Sequence, residues 1–266
     1  MNFLTVYRNL HQKVSALYDQ LKLKFLEQAT GRPRSVSIIE ALTLALYWKT
    51  QDVTTKKSLW KDFAPACTYK TFVVTLNRFA LVALLILRYV IRINRASAHL
   101  VKHTDSTDIP VCLNKNAKRH RTMRGLAAWG HSGKGWFYGL KLHLTTDLQR
   151  RLLACSFTSG NGDDRAQFLT LNKDLRGIFV ADAGYVSNSL TDAFNEDGVR
   201  ILFAKPYKSM KKLITDWQYH LYNTRVKIEN HFRSLKLFRG LVTSLPRSID
   251  GYLGNYVYSL LAHVLA

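Results

Sequence analysis

Acidic side chains are scarce in this chain of 266 residues, where 18 Asp and Glu face 39 Lys and Arg, for a formal charge of +21. The shortage is shared: residues 1–100 hold 15 basic against 5 acidic residues, and the remainder 24 against 13. Neither half is therefore a neutral passenger, and the natural partner for such an excess is a polyanion such as a phosphate backbone. Cysteine is scarcer still. Cys67, Cys112 and Cys155 stand far apart, with no CxxC pair and no His/Cys group, which excludes a disulfide framework, argues against structural zinc and suits a reduced cytosolic protein. A secretory leader is missing, since Arg8, His11 and Lys13 interrupt the short apolar groups at the start. Long apolar runs are missing too. The longest, from Phe79 to Ile91, is broken by Arg88 and is too short to cross a bilayer, so a buried helix and no membrane partner are expected.

What the chain does contain is patterned. Its hydrophobic share of 47% supports a packed core. Residues 2–28 repeat apolar side chains at helical spacing, among them Val6, Leu10, Val14, Leu17 and Leu21. Gly31-Arg32-Pro33-Arg34 breaks that pattern, and Ser37-Ile38-Ile39-Glu40 then has the form of a capping box opening a helix to about residue 49. A short segment over 56–63, a break at Pro65-Ala66-Cys67 and a long helix over about 69–94 follow. Several short helices with basic joints suit a helix-turn-helix-like DNA-binding domain over residues 1–97. In it Lys56, Lys57, Lys61, Lys70 and Arg78 are the candidates to meet phosphates. A small helical bundle that merely dimerises gives the same pattern.

From residue 99 the period changes. Residues 99–104 read as a strand feeding Asp105, and 113–135 as a basic, glycine-punctuated excursion carrying Lys115, Lys118, Arg119, Arg121, Arg124 and Lys134. Residues 135–146 and 152–158 alternate like a hairpin pair. Gly160-Asn161-Gly162 is a turn, and residues 164–174 a crossover helix for which Asp163 and Asp164 suit the cap. A short apolar strand over 178–181 ends on Asp182, and a helix over 189–195 precedes a strand over 199–204. Strands joined by crossover helices predict an α/β domain over residues 98–266, a mixed sheet flanked by helices. Such a sheet binds ligands beyond the carboxyl ends of its strands, where Asp105 and Asp182 are expected.

Residues 222–236 contain neither Pro nor Gly and read as one helix. At 100° per residue, Arg225, Glu229 and Lys236 fall within about 60° of Tyr222 on one stripe. Asp105, Asp182 and Glu229 are thus candidates to cage two Mg²⁺ or Mn²⁺ ions, hard cations that take oxygen ligands and support in-line displacement at phosphorus. Arg225 and Lys236 are placed to bind phosphates or steady the glutamate, and Tyr222 to stack on a base. Taken singly, each has an ordinary explanation: Glu with Arg at i−4 is a common surface pair, and Asp after a strand a common turn former. Asp108 is an alternative ligand, His143 faces either site or core, and Trp129, Trp136 and Tyr138 are either base-stacking rings or a core edge.

The spacing Tyr222-x2-Arg225-x3-Glu229-x6-Lys236 matches a signature of bacterial insertion-sequence DDE transposases. The stretches Asp105-Ser106-Thr107-Asp108-Ile109-Pro110-Val111-Cys112, Phe137-Tyr138-Gly139-Leu140-Lys141-Leu142-His143 and Asp182-Ala183-Gly184-Tyr185 resemble the IS982 group of that class. The resemblance implies a ribonuclease H-like fold with Asp105 on its first strand, Asp182 after its fourth and Glu229 on the following helix. It implies binding of double-stranded DNA at terminal inverted repeats, metal-dependent hydrolysis freeing a 3′-hydroxyl, and attack of that hydroxyl on target DNA. A homodimer or larger assembly on paired ends, beside the nucleoid in a bacterial cytoplasm, goes with it. A structure-selective nuclease of the same fold and a non-catalytic DNA-binding repressor derived from a transposase are the alternatives.

Overall fold

The computed structural model describes residues 3–27, 33–51, 55–204 and 215–266, which form two compact units. The break expected at Gly31-Arg32 lies outside the described residues. One unit is helical and comprises Met1–Val90, Ser234–Leu241 and Leu245–Ala266. Its helices are α1 (Phe3–Gln20), α2 (Ile38–Thr50), α3 (Lys56–Phe63), most of α4 (Tyr69–Ala96) and, at the far end of the chain, α9 (Ile249–Val264). The Ser37 hydroxyl accepts the Glu40 amide at 3.1 Å while the Glu40 carboxylate accepts the Ser37 amide at 3.4 Å, so the expected capping box starts α2. α2 is apolar almost all round, with Ile38, Leu42, Leu44 and Leu46 buried, and α9 packs against it. The Tyr258 hydroxyl of α9 donates to the Leu76 carbonyl of α4 at 2.7 Å. These units do not divide at 97/98: residues 234–241 and 245–266 join the helical unit because α2 needs a second apolar surface to cover it. Only one face of α4 is buried, Leu76, Phe79, Ala83, Ile86 and Leu87, while Leu81 and Leu85 are exposed. By length and composition alone this helix is also apolar enough to cross a membrane, a test that half-buried core helices pass as well.

Lys49 ends up inside this unit. Its ammonium lies 3.8 Å from the Trp48 ring centre and donates to the Gly240 carbonyl and to Asn255 Oδ1. Burial, helped by repulsion from Lys56, pushes its pKa down to about 7. The unfolded chain then binds the extra proton above that pH, so stability rises as pH climbs from about 7 towards 10. Urea titrations should show a gain of about 1 kcal/mol per pH unit over pH 7–9, and Lys49→Met should flatten that slope. A slope unchanged in the variant places the titrating group elsewhere.

The second unit spans Ile91–Arg233 and Val242–Ser244. Its sheet contains β1 (Val101–Pro110), β2 (Ala128–Ser132), β3 (Gly135–Asp147), β4 (Leu152–Ser159), β5 (Gly177–Ala181) and β6 (Arg200–Ala204). Across the sheet the order is β4-β3-β1-β5-β6, with β2 paired to the first residues of β3. β1, β3 and β4 run antiparallel in succession, and β5 and β6 extend the other edge of β1 in parallel. Three antiparallel strands followed by two parallel ones through crossovers is the ribonuclease H-like arrangement. α5 (Asp164–Asn172) and α6 (Asn188–Asn195) cover the parallel half, burying Phe168, Phe179 and Phe194 with ring centres 4.8–6.2 Å apart. As expected, Asp163 caps α5, its carboxylate accepting the Arg165 amide at 2.8 Å. α7 (Asp216–Asn223) and α8 (Val226–Phe238) follow the sheet.

Candidate active site

β1 pairs with β3 along its length to Pro110 but with β5 only from Val101 to His103. Beyond His103 the two parallel strands are no longer paired. Asp105 lies two residues past the last β1 pair, and Asp182 two residues past its partner Val180. Asp182 is the first residue after β5, as expected. Asp105 is not at a strand end: it sits in the middle of β1, opposite Leu144, because the long β3 keeps β1 paired beyond it. Each aspartate spends one oxygen on local backbone. Asp105 Oδ1 accepts the Ser106 amide at 2.8 Å, and Asp182 Oδ1 accepts the Ala183 amide at 2.7 Å. The Asp182 turn is anchored by Tyr185, which is buried against Phe168.

The single helix expected over 222–236 is broken. α7 stops at Asn223, α8 starts at Val226, and the amides of Thr224, Arg225, Lys227 and Ile228 all bond to carbonyls three residues back. Thr224 causes the break, because its hydroxyl donates to the Leu221 carbonyl at 2.6 Å and tightens the turn. With its proton so used, that hydroxyl accepts from His103 Nε2, 2.7 Å away. Burial, with Lys227 and His231 adding to it, pushes His103 down to about 4, so the ring is neutral at pH 7 and carries its proton on Nε2. His103 stands two residues before Asp105 on the same face of β1, and ties the α7–α8 joint to the strand. Sequence reasoning missed this pair, although the period of two that puts His103 beside Asp105 was visible. Thr224→Val keeps the shape and removes both bonds. It should lower the unfolding free energy by about 1–3 kcal/mol in urea titrations, and an unchanged midpoint would show the bonds to be idle.

Arg225, the second residue of that joint, gathers the acids. Its Nη1 lies 3.4 Å from Asp105 Oδ2 and 3.6 Å from Asp182 Oδ2, and its Nη2 lies 2.6 Å from Glu229 Oε1. One guanidinium thus touches all three candidate carboxylates, and it is only 13% exposed. Burial works against its charge, but the three acids prevail and hold it more firmly protonated than usual. Burial also raises Asp105 to about 6, against the opposing pull of Arg225 and the Ser106 amide. Tyr222, now at the end of α7, keeps its ring 5.9 Å from the Arg225 guanidinium. Among the described residues no three His, Cys, Asp or Glu side chains close directly round one ion-sized point. The acids meet at the guanidinium.

Residues 95–248, more than half of the chain, match the family model described as transposase DDE domain. The chain belongs to the DDE transposase family. The matched stretch of this transposase contains Asp105, Asp182, Arg225 and Glu229. Similar solved structures include the Mos1 mariner paired end complex with Mn, at 13% identity over 93% of this chain and 84% of that one, with a TM-score of 0.27. The Mos1 strand transfer complex is similar at 13% identity over 88% and 78%, with a TM-score of 0.25. No curated protein matches the chain.

The remaining candidates of the transposase are spread more widely. Lys115, Lys118 and Arg119 are exposed on a 3-10 helix (Asn114–Arg119), and Arg121 and Arg124 are exposed just after it. Lys57 and Lys61 are exposed on α3. Lys56 differs from them: it is half-buried, donates to Asn77 Oδ1 at 2.7 Å, and is pushed down to about 8 by burial. Lys236 is half-buried in the last turn of α8, within the segment that belongs to the helical unit. Asp108 lies on β1 opposite Lys141. His143 is a core residue. It is buried, with Nε2 2.9 Å from Thr158 Oγ1 and Nδ1 3.9 Å from Asp164, whose carboxylate also pairs with Lys141 at 3.0 Å.

Proposed function

We propose that this chain is an insertion-sequence transposase of the IS982 group, which binds terminal inverted repeats and catalyses metal-dependent strand cleavage and strand transfer. The observation that carries the reading is the convergence of Asp105, Asp182 and Glu229 on one guanidinium. Three carboxylates drawn from a strand, a strand end and a helix, with oxygens to spare, form the hard donor set that suits Mg²⁺ or Mn²⁺. These three residues would hold two such ions, which activate the attacking oxygen and stabilise the leaving one when bound. Arg225, released from the acids, is placed to bind a phosphate with both nitrogens, and Tyr222 lies beside it. His103 and Thr224 keep Arg225 and Glu229 in register with Asp105.

The exposed Lys57, Lys61, Lys115, Lys118, Arg119, Arg121 and Arg124 supply phosphate contacts along double-stranded DNA, joined in this reading by Lys236 and, where it turns outward, Lys56. The helical residues up to 97 contribute the DNA-binding part and residues from 98 the catalytic part, acting as a homodimer or larger assembly on paired ends in the bacterial cytoplasm. The test is incubation of the full chain with labelled terminal-repeat DNA, a target plasmid and Mn²⁺. Cleaved ends and joined products are expected. Cleavage without joining assigns a nuclease instead, and binding without cleavage assigns a repressor.

A further inference from the structure

Away from the acids, β2 and the start of β3 form a two-stranded ribbon in which Trp129 faces Tyr138 and His131 faces Trp136. Side chains alternate along strands, so these four rings share one face, while Gly130 and Phe137 occupy the other. That other face is packed: Phe137 is buried, and a Cβ at Gly130 would collide with the Gly160 carbonyl. The aromatic face is open. Trp136 is 65% exposed and Trp129 42% exposed. The rings are braced edge to face, with centres 5.3 Å apart for His131 and Trp136 and 5.7 Å for Trp129 and Tyr138. Such bracing limits their rotamers and lowers the entropy lost when something stacks on them.

We propose that this ribbon is a stacking platform for unpaired nucleobases of a single DNA strand, distinct from the acid site. Two open tryptophans on a short ribbon cost apolar exposure and mark a contact surface. Their surroundings say which kind. From Ile109 to Thr146 the chain has no acidic residue and seven Lys and Arg. Lys115, Lys118, Arg119, Arg121 and Arg124 are exposed in that stretch, and His120 places its ring 6.3 Å from Tyr138. Ring faces beside an acid-free cationic stretch match a strand whose phosphates pair with the cations and whose bases lie on the rings. An intact duplex offers only base edges in its grooves and leaves those faces without a partner. The ribbon thus favours DNA whose ends are opened over DNA that is fully paired, and it rests on the reading of nucleic acid as the partner.

The test measures binding of the full chain, without divalent metal, to a fluorescent oligo(dT) strand and to a duplex of equal length. Trp136→Ala, whose side chain is mostly in water, and the Trp129→Ala/Trp136→Ala pair are compared with Trp136→Phe. Single-strand affinity should fall roughly tenfold for Trp136→Ala, fall further for the pair and largely survive in Trp136→Phe, while duplex affinity changes less than about twofold. Equal losses on both DNAs, or no loss on either, overturn the platform and leave the transposase reading standing. Failure of the wild-type chain to bind either DNA overturns both. Losses seen only with vesicles of anionic phospholipid assign the ribbon to a membrane surface and overturn it too.

Discussion

Asp105→Asn, Asp182→Asn and Glu229→Gln should each lower metal-dependent end cleavage by about a thousandfold, and Asp105→Asn should at the same time make the metal-free protein more stable. The loss follows from removing one carboxylate of three that share hard cations, where a ligand is worth several kcal/mol of barrier. The gain follows from burial. The Asp105 side chain is only 20% exposed, and its pKa is raised from 3.8 to about 6. A carboxyl raised on folding supports the fold while protonated, and that support is lost as pH rises through about 6. At pH 7–8 the neutral amide should therefore unfold later, by up to about 3 kcal/mol, with the advantage shrinking below pH 6 and gone near pH 4. Differential scanning fluorimetry across that range checks it. A variant that is inactive and also less stable at pH 8 indicates a lost structural contact, not relief of a buried charge.

Arg225→Gln should have the second large effect. Arg225 is the cation to which Asp105, Asp182 and Glu229 all turn. Without it three carboxylates repel at close quarters, and stability in EDTA should fall by about 2–3 kcal/mol, the half-exposed Asp182 and Glu229 softening the cost. The same vacancy removes a competitor for divalent ions. Mn²⁺ should raise the unfolding midpoint of Arg225→Gln more than that of the wild-type chain, because a ligand that binds only the folded state stabilises in proportion to its affinity. Equal midpoint shifts in the two proteins would mean that the guanidinium and the ions do not share the acids.

What was legible beforehand was local. The Ser37–Glu40 box, the Asp163 cap and the strand end at Asp182 rest on neighbours within a few residues, and all three stand where the chain predicted them. Three features differ from the expectation, each for its own physical reason. Asp105 lies inside β1 because β3 runs for 13 residues and keeps it paired. The stripe from Tyr222 to Lys236 assumed an unbroken helix, and Thr224 breaks it through a hydroxyl that also answers to His103, 121 residues earlier. β2 carries no strand signal of its own because Ala-Trp-Gly-His-Ser is only five residues long and has glycine at its centre, and it becomes a strand only beside residues 135–139. The three acids still come together despite the break, since the joint keeps Arg225 within reach of Asp105, Asp182 and Glu229.

The distribution of α2 and α9 between the two ends of the chain bears on how the protein is made. A ribosome delivers α2 well before α9, with the whole sheet in between. Until α9 emerges, the apolar wall formed by Ile38, Leu42, Leu44 and Leu46 lacks one of its covers, and Lys49 lacks its Asn255 acceptor. The nascent front of the chain must therefore wait, partly open and chaperone-accessible, while the sheet is synthesised, and it closes only once α9 has emerged.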